Sequence, residues 1–427
     1  MSYPVPTAQL VLGKVTVRLA VFTNQFPGRT VTFFARDMRA LLEAGVAVDI
    51  FPFYPPDPVL WRYVPDLLSE RVLPRERIHY LGLGATLAPP RGDALGTVPR
   101  FLHDAIRIGG AALQYGVGAA AKSAYVALKA WAWAQRHPAG SYDHVLAYWG
   151  NHSATAAYLF HRLTDPRMPF SMIVHARMDL YRKPAYLAQK MLHADNIFLV
   201  CEFNRGYIRD KYPGVFPRVA DKIRIHHLGL DLDALRYEPD DRLPCKVLAV
   251  GRLERLKGFD NLLRAAQQLR RKGLGVEVEL IGGGEEEGRL KRLARGLGIA
   301  PYVRFRGWLP PDEVVREMRR ATLLVHPPVA LDAMPTVLKE AMAVGTPVIA
   351  ANLAGIPEIL DRGRAGVLVA AGNVPGLADA IERLLGDAAL RRCYAEAARR
   401  HVERHFDMWK NGRSLADRLQ ATPRRPA

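Results

Sequence analysis

The chain has few cysteines and a deficit of acidic side chains. It contains three cysteines in 427 residues, and 42 Asp and Glu against 60 Lys and Arg. Cys201, Cys245 and Cys393 are far apart and form neither a zinc-ligand spacing nor a disulfide framework, which favours a reducing compartment. No apolar run reaches the roughly 18 residues of a membrane-spanning helix. The N-terminus lacks a basic segment followed by an apolar core, so we predict no signal peptide.

The net charge of +18 at pH 7 calls for an explanation. We find no nucleic-acid-binding signature and no interleaved aromatic and basic pattern, so we expect no nucleic-acid partner. Many arginines lie in helical segments, where they would simply face solvent. An anionic membrane surface or a phosphorylated ligand would use the same positive field, and we rank both above nucleic acid.

One apolar segment differs from its surroundings. Residues 108–121 are almost uninterruptedly apolar, and a helical pattern with Trp131 and Trp133 follows over residues 122–136. A buried core helix is the simpler interpretation. The alternative is an interfacial helix, with tryptophans and lysines at the level of lipid headgroups.

The first half alternates between strand and helix patterns. Residues 14–23, 32–43 and 46–51 form a strand–helix–strand unit, the building block of a parallel sheet. The same alternation continues downstream. Its later strands are expected at 144–148, 170–174, 196–200 and 222–226, with a helix at 153–163.

A proline-containing stretch, residues 237–244, interrupts this alternation, which then restarts and runs to a helix at 374–385. We therefore predict an α/β fold with two doubly wound parallel-sheet, Rossmann-like domains that face each other across a cleft. Ligands would bind at the carboxyl ends of the strands. The predicted domains are residues 1–240 and 241–400, followed by a return helix and basic tail over 401–427. We expect the last residues, 422–427, to be disordered.

Two carboxylates, Asp332 and Glu340, lie eight positions apart around a predicted helix start. Pro335 suits the first helical position, where its missing N–H has no intrahelical partner. Met334 would then precede the helix, and it has no side-chain oxygen to cap it. Free N–H groups in the first turn would form an anion site. An ordinary surface helix with a weak cap is the alternative.

A glycine and two cations follow the predicted strand 246–250. Gly251 is succeeded by Arg252 and Lys257, and a helix is predicted to start at Asp260. This arrangement suits a diphosphate, although it is neither a P-loop nor the dinucleotide-binding GxGxxG motif. A surface loop with two solvated cations is the alternative.

Two further candidates follow predicted strands. Gly283 is the centre of a three-glycine run that permits close backbone approach to a ligand, although a tight turn has the same need and acidic residues follow. His175 comes directly after strand 170–174, at the edge where doubly wound domains bind ligands. A lone histidine is usually structural, so both interpretations stay open. We find no HExxH-type metal spacing and no GxSxG nucleophile elbow.

The order of these motifs resembles the retaining GT-B glycosyltransferases of family 4, also called group 1. The likeness covers the second half nearly end to end. The first half is similar, more loosely, to the subgroup that builds colanic acid and amylovoran-type exopolysaccharides. The matching segments are 251–258, 282–284, 332–350 and 355–359 in the second half and 171–175, 179–181, 201–204 and 227–231 in the first.

By this resemblance, Arg252 and Lys257 would hold the diphosphate of a nucleotide-sugar donor, with Gly251 and Gly283 in the same donor site. Two cations and a helix dipole would offset the charge that grows on the leaving nucleotide diphosphate. We therefore expect no metal and no other cofactor. Retention in this family is generally attributed to front-face attack, which requires no enzymic nucleophile.

The resemblance also assigns roles around the helix start. Glu340 would accept hydrogen bonds from the ribose hydroxyls, and Asp332 would contact the transferred sugar. The N–H groups after Pro335, those of Thr336 and Val337 onward, would bind the phosphates. The family usually has Glu where this chain has Asp332, one methylene shorter. This difference could retune the choice of sugar or weaken catalysis.

In the first half, His175 would touch the sugar near the reacting carbon, and Asp179 and Asn24 would lie on the acceptor side. The resemblance implies a hexosyltransferase that uses a nucleotide sugar and a lipid-linked oligosaccharide or other glycan acceptor in cell-surface polysaccharide biosynthesis. We expect it to be cytoplasmic and peripherally bound to the anionic inner face of the plasma membrane. A GT-B nucleotide-sugar epimerase and an inactive scaffold of a polysaccharide assembly complex are the alternatives.

Overall fold

Two parallel β-sheets of six strands each organise the computed structural model, which describes residues 17–28, 31–57, 73–87, 96–181, 185–240 and 242–426. Each sheet is the centre of one compact unit. Among these residues, unit 1 extends to Leu199 and includes Ile208–Leu228 and the residues from Met408. Unit 2 consists of Val200–Tyr207 and Gly229–Asp407. The main division therefore falls between residues 228 and 229, whereas the sequence predicted it between residues 240 and 241.

The sheet of unit 1 has the strand order β2-β1-β3-β4-β5-β6, with every pair parallel. Its inner strands β3, β4 and β5 are buried along their whole length, as is typical of a parallel sheet covered on both faces. The order reverses between β1 and β3, and this switch point is where such sheets bind ligands. The strands are β1 Val17–Gln25, β2 Val46–Tyr54, β3 His144–Ala147, β4 Phe170–Val174, β5 Asn196–Leu199 and β6 Ile223–Ile225.

Eight helices precede unit 2's sheet in the described part of the chain. The long helices α3 and α4 pack on each other, and α5 packs on α4 and on strands β1 and β3. The helices are α1 Val31–Glu43, α2 Leu83–Thr86, α3 Val98–Leu113, α4 Val117–Ala134, α5 His152–Thr164, α6 Leu187–His193, α7 Glu202–Lys211 and α8 Phe216–Val219.

The apolar segment 108–121 is not one helix. α3 ends at Leu113 and α4 begins at Val117, because Gly116 between them has a φ of 104°, which favours glycine. α4 is a core helix: Trp133 is fully buried, and the buried Lys129 ammonium donates to a main-chain carbonyl of β2. The core interpretation therefore holds for residues 122–136, and Trp133 does not lie at a surface.

The sheet of unit 2 has the order β12-β11-β10-β7-β8-β9, again all parallel, and it reverses between β7 and β10. Strand β7 coincides with the predicted strand 246–250, and the helix predicted at 374–385 is confirmed to within one residue. The strands are β7 Lys246–Val250, β8 Glu277–Ile281, β9 Val303–Gly307, β10 Leu323–His326, β11 Val348–Ala351 and β12 Val367–Val369.

Helices cover both faces of this second sheet, so its core is divided in two. One buried apolar cluster joins the sheet to α9, α10 and α14, and the other joins it to α12, α13 and α15. The helices are α9 Phe259–Arg271, α10 Glu287–Gly296, α11 Pro311–Arg320, α12 Thr336–Ala343, α13 Ile356–Ile359, α14 Val374–Gly386 and α15 Ala388–His405.

The chain then returns to unit 1 with α16, Met408–Gln420, which packs on α1. The two helices approach closely, since a Cβ added at Gly412 would lie 2.2 Å from the Cβ of Ala40. The predicted disorder after residue 422 is wrong for the described residues. Arg425 is half-buried and forms an ion pair with Asp195 at 2.9 Å.

Among the described helices, none has the length and apolar character needed to cross a bilayer. The three cysteines are unbridged, as their spacing indicated.

Candidate functional site

The loops after β7 and β10 meet at the switch point of unit 2. Gly258 has a φ of 63°, and a Cβ there would lie 2.1 Å from the carbonyl oxygen of Pro327. Only glycine permits this contact, because the conformation and the space both exclude a side chain. The loop with the two predicted cations is thereby fixed against the loop that leads to Asp332.

The glycines after β8 likewise allow close packing, here against the loop after β7. A Cβ at Gly282 would lie 2.0 Å from the carbonyl oxygen of Gly251, and a Cβ at Gly284 would lie 2.5 Å from that of Leu253. The Leu253 N–H donates to the carbonyl of Gly283 at 3.0 Å. The alternative of a tight turn therefore accounts for Gly282 and Gly284, which pack against the loop after β7, and Gly283 lies beside the Trp308 ring.

Lys257, Asp332 and His326 form a polar cluster at this switch point. Asp332 Oδ2 accepts from Lys257 Nζ at 2.5 Å and from His326 Nε2 at 2.9 Å. Burial disfavours the charged Asp332 carboxylate, but the His326 hydrogen bond and the Lys257 charge outweigh it and hold the pKa well below its usual range. Burial also lowers the pKa of His326, so its neutral imidazole donates through Nε2.

The other predicted cation, Arg252, faces outward. Its side chain is 52% exposed and forms an ion pair with Glu254, which lies two residues further on. Arg252 and Lys257 thus have different partners, one towards solvent and one inside the cluster. Both come from the single loop after β7, so an anion at the switch point lies within the field of both charges.

The start of α12 has no side-chain cap among the described residues. Pro335 is the N-cap residue, with φ −63° and ψ 116°, and the helix begins at Thr336. The prediction that Pro335 is the first helical residue is therefore wrong by one position, because its ψ is extended. Leu338 N–H already donates to the Pro335 carbonyl, at 3.3 Å. The N–H groups of Thr336 and Val337 have no acceptor among the described residues, as an anion site requires.

Two neighbours of this helix start complete the arrangement. Glu340 is half-buried and lies one turn after Thr336, on the same side of α12. A Cβ at Gly355 would lie 2.1 Å from the carbonyl oxygen of Ala333, so glycine is needed to hold the loop before α12.

His175 lies next to the switch point of unit 1. Its Nε2 donates to the carbonyl of Tyr148 at 2.9 Å, and its ring stacks on Trp149 with centroids 4.1 Å apart. Burial lowers the pKa of His175 to about 4, so the imidazole is neutral at pH 7. Asn24, at the end of β1, is half-buried, and its Oδ1 has no hydrogen-bond partner in the described part of the chain.

Asp179 is a bracing residue. It is 1% exposed, and its Oδ2 accepts from the backbone N–H of His175 at 3.0 Å. Burial raises the pKa of Asp179 to about 6 and lowers that of the nearby Lys190 to about 7. Lys190 Nζ donates to the carbonyl of Gly150 at 2.8 Å. The predicted acceptor-side role thus lacks the exposed carboxylate that it needs, and Asp179 instead positions His175.

Three candidate functional residues were not predicted from the sequence. His326 is the last residue of β10, and a polar residue at a strand's carboxyl end was the available signal. Trp308 follows β9, is 75% exposed, and lies against Gly283, where a Cβ would be 3.0 Å from its ring. Asp37 accepts a 2.5 Å hydrogen bond from the hydroxyl of Tyr148, the residue that holds His175. No sequence signal connected Asp37 with the site.

Two other features lie outside this site. Among the described residues, no group of three His, Cys, Asp or Glu side chains could hold a metal ion. A cavity of 360 Å³ opens at the opposite, amino-terminal edge of the second sheet, around Lys246 and Glu317. Lys246 and Glu317 form an ion pair with each other at 2.5 Å, which explains why two charged side chains are buried there without a ligand.

The comparison with known families agrees with the geometry of unit 2. The family model for "Glycosyl transferases group 1" matches residues 241–401. Residues 241–401 are a group 1 glycosyltransferase domain. This stretch contains the loops after β7, β8 and β10 and the whole of α12. The resemblance that the motifs indicated is therefore confirmed.

Curated relatives of this chain include exopolysaccharide enzymes. It is 30% identical over 208 residues to the amylovoran biosynthesis glycosyltransferase AmsK of Erwinia amylovora, which covers 47% of this chain and 51% of AmsK. It is 29% identical over 209 residues to the putative colanic acid biosynthesis glycosyltransferase WcaL of Escherichia coli (strain K12), which covers 47% of this chain and 52% of WcaL. The chain thus spans about half the length of the curated relatives it matches.

Solved structures confirm the fold. The crystal structure of Anabaena Alr3699/HepE in complex with UDP and glucose superposes with a TM-score of 0.66 and 17% sequence identity, covering 95% of this chain and 100% of that one. At this identity the likeness concerns the fold alone. The predicted GT-B class, with two Rossmann-like parallel sheets, is confirmed.

Proposed function

We propose that this group 1 chain is a retaining hexosyltransferase, which moves a hexose from a nucleotide-diphosphate sugar to a lipid-linked oligosaccharide or other glycan acceptor. The observation that carries the proposal is the cluster of Lys257, Asp332 and His326 beside the uncapped start of α12. The family match over residues 241–401 and the likeness to AmsK and WcaL support cell-surface polysaccharide biosynthesis as the setting.

The donor diphosphate would bind between Lys257 and the first turn of α12. The N–H groups of Thr336 and Val337 offer hydrogen bonds and the positive end of the helix dipole. When a phosphate oxygen takes over the Lys257 ammonium, the Asp332 carboxylate is released to accept a hydrogen bond from a sugar hydroxyl. Glu340, one turn further along α12, would accept from the ribose hydroxyls.

The chemistry follows from where charge develops. Cleavage of the bond to the sugar leaves negative charge on the departing nucleotide diphosphate, and Lys257, Arg252 and the helix start oppose that charge. These groups do the work that a divalent cation does elsewhere, so we propose metal-independent transfer. His175, assigned by the family resemblance, would contact the transferred sugar. Its imidazole is neutral at pH 7, which suits a hydrogen-bonding group and not an ionic partner.

Trp308 supplies the remaining element of a nucleotide site. Its ring is 75% exposed beside Gly283, at the carboxyl edge of the same sheet. An exposed indole gives a nucleobase a flat surface on which to stack. HepE was crystallised with UDP and with UDP-glucose, and these are the first ligands to test here.

We propose the acceptor and the location from the net charge of the chain and from its similarity to AmsK and WcaL. A chain of net charge +18 is attracted to anionic lipid, and a lipid-linked acceptor would be met at such a surface. We therefore propose a cytoplasmic protein at the inner face of the plasma membrane.

The decisive experiment is a thermal-shift screen of the purified chain against UDP, UDP-glucose and other nucleotide sugars. A ligand that binds the folded state raises its melting temperature. We expect one nucleotide sugar to give a clear rise that is lost in Glu340→Ala and kept in the control Glu396→Ala, which changes an exposed acid of α15. An unchanged rise in Glu340→Ala, with the fold intact, would contradict the donor assignment.

A turnover assay separates the alternatives. With the bound donor and a membrane extract, a transferase releases nucleotide and labels an acceptor, an epimerase converts the donor with no acceptor, and a scaffold does neither. Transfer that survives an excess of EDTA would support metal independence. Transfer that EDTA abolishes would overturn that part of the proposal.

A further inference from the structure

A buried lysine holds the loop that follows β3. Lys190, on α6, is 1% exposed, and its ammonium donates to the carbonyls of Gly150 at 2.8 Å and Asn151 at 3.0 Å. Its third hydrogen bond goes to the hydroxyl of Thr155, on α5, at 3.1 Å. An ammonium has three N–H donors, so every donor of Lys190 binds this loop or the helix that follows it. We name residues 148–151 the β3 loop.

The burial of this ammonium is costly. Lysine is almost never fully buried unless it is paired, because the interior cannot replace the water that solvated its charge. In the described part of the chain, Lys190 has no carboxylate within ion-pair distance, and its contacts are the three hydrogen bonds to oxygen. A methionine would fill similar space without this cost, so the three hydrogen bonds are what the lysine contributes.

The β3 loop holds the imidazole of His175. The Tyr148 carbonyl accepts from His175 Nε2 at 2.9 Å, and the Trp149 ring stacks on His175 with centroids 4.1 Å apart. Trp149 is itself fixed, because its Nε1 donates to the hydroxyl of Thr23 at 3.3 Å. Two consecutive residues of the loop thus set the place and the orientation of the imidazole, and Lys190 holds the next two.

Asp179 supports the same arrangement from the segment after β4. Its Oδ2 accepts from the His175 N–H at 3.0 Å, and its side chain packs on Gly150, where an added Cβ would lie 3.1 Å from the Asp179 Cβ. The Asp179 charge also favours the charged form of Lys190. The acid holds the backbone of the histidine and the ammonium holds the backbone of the β3 loop, so both segments that place the imidazole are fixed.

We propose that Lys190 is a positioning residue for sugar transfer, which fixes the β3 loop and, through it, the His175 imidazole. The inference rests on the proposed function, in which His175 contacts the transferred sugar. Because Lys190 is buried, it touches no substrate and acts only through the loop. A displacement of about 1 Å in a group that contacts substrate can lower a rate about a hundredfold, so a residue outside the site can have a large effect on catalysis.

A double-mutant cycle with His175 tests the proposal. The kcat is measured as nucleotide release from saturating UDP-glucose, or from the nucleotide sugar that the thermal-shift screen selects, with a membrane extract as the source of acceptor. Lys190→Met should lower kcat about ten- to a hundredfold. Its affinity for UDP should stay within about twofold of the parent's, since nucleotide binding is proposed for unit 2. In a His175→Ala background, Lys190→Met should lower kcat by less than about twofold, because the group that Lys190 positions is already absent.

Lys129→Met is the matched control. Lys129 is 3% exposed in the same unit, and its ammonium donates to the carbonyl of Phe53 and not to the β3 loop. The same chemical change at this position should leave kcat as it is in the parent. Thr155→Val removes one acceptor of Lys190 and is the milder variant if Lys190→Met folds poorly by circular dichroism. It should lower kcat a few-fold.

Three kinetic results would overturn the inference. The first is an unchanged kcat in a folded Lys190→Met protein. The second is an equal loss of kcat in Lys190→Met and Lys129→Met, which would mean a general weakening of unit 1. The third is the same loss with and without His175, which would mean that Lys190 does not act through the histidine.

Amide hydrogen exchange separates this inference from the proposed function. If the parent transfers no sugar, the proposed function fails, and exchange over residues 148–155 still decides whether Lys190 holds the β3 loop. Exchange there should be faster in Lys190→Met than in the parent and unchanged in Lys129→Met. Unchanged exchange in Lys190→Met would overturn the role of the lysine by itself.

Discussion

Lys257 Nζ lies 2.5 Å from Asp332 Oδ2, so the cation assigned to the donor diphosphate and the acid assigned to the transferred sugar hold each other. If a donor diphosphate binds Lys257 as proposed, it must displace the Asp332 carboxylate, which would then become available to the sugar.

Replacement of either member of this pair should have opposite effects on nucleotide binding. Lys257→Met removes a charge that the diphosphate needs, and we expect affinity for a nucleoside diphosphate to fall about tenfold or more. Asp332→Asn removes the competitor, so the same affinity should hold or rise, while sugar transfer falls roughly a hundredfold. Calorimetric titration and a turnover assay measure the two effects.

The pair of variants also tests the role of Asp332. If Asp332→Asn weakens nucleoside diphosphate binding as much as Lys257→Met does, then Asp332 supports the diphosphate site itself and does not compete with it. Arg316→Gln, on the exposed side of α11, is the matched charge control and should leave both measurements unchanged.

Trp308→Ala should weaken nucleotide binding without loss of stability. The ring is 75% exposed, so its removal leaves no cavity, and base stacking contributes about 2 kcal/mol, roughly thirtyfold in affinity. Tyr302→Ala, in the loop before β9, should have no such effect. Equal affinities for parent and Trp308→Ala would show that the base binds elsewhere.

Gly284→Ala should destabilise unit 2 by about 1–3 kcal/mol, because its Cβ would lie 2.5 Å from the carbonyl oxygen of Leu253 and the loops must move apart. Gly275→Ala is the control, since a Cβ there meets nothing within 4 Å. Chemical denaturation gives the free energies of unfolding. Similar values for the two variants would refute the close contact between the loops.

Unit 1 should lose stability in mild acid. Burial lowers the pKa of six of its histidines, which stay neutral when folded, so below about pH 6.5 the unfolded state binds more protons and stability falls as the pH drops towards 4. Asp179, with its raised pKa of about 6, acts in the opposite direction but is one group. The histidines are His137, His144, His152, His161, His175 and His193.

A melting temperature about 10 °C lower at about pH 5 than at about pH 7.5 is the expected size of this effect. Amide hydrogen exchange should place the earliest opening in unit 1. The lowered pKa of Asp332 in unit 2 acts only at lower pH, since a carboxylate held ionised loses its contribution as the pH falls below about 4. Equal stability at the two pH values would contradict the burial of neutral imidazoles.

The fold class could be predicted from the sequence because the strand and helix patterns are local. Alternating strand and helix patterns located the six strands of the first sheet and indicated that they are parallel, but the order of the strands was not predicted. Contacts between segments that are distant in the sequence could not be predicted. The basic tail looked unstructured, yet Arg425 pairs with Asp195, which lies far back in the chain. Residues 108–121 read as one apolar run, and the break at Gly116 depends on the turn between two packed helices.

The site was predictable where a residue's type and its position at a strand end coincide. His175 directly follows β4 and satisfies that rule. Lys257, Asp332 and Asp179 lie in loops further beyond strand ends; the structure brings Lys257 and Asp332 together at the switch point of unit 2, whereas Asp179 is buried and braces His175. Trp308 was missed because an aromatic residue after a strand is more often core, and only its exposed fraction separates the two cases.

The return of α16 to α1 also sets an order of events during synthesis. Proteins usually complete their first domain while the ribosome is still making the next. Here the surface of α1 around Ala40 stays uncovered until residues 408–420 emerge, after the whole of unit 2 has been made. The unit that begins first is thus finished last, and nascent chains that stall within unit 2 would display an apolar helix face to chaperones and proteases.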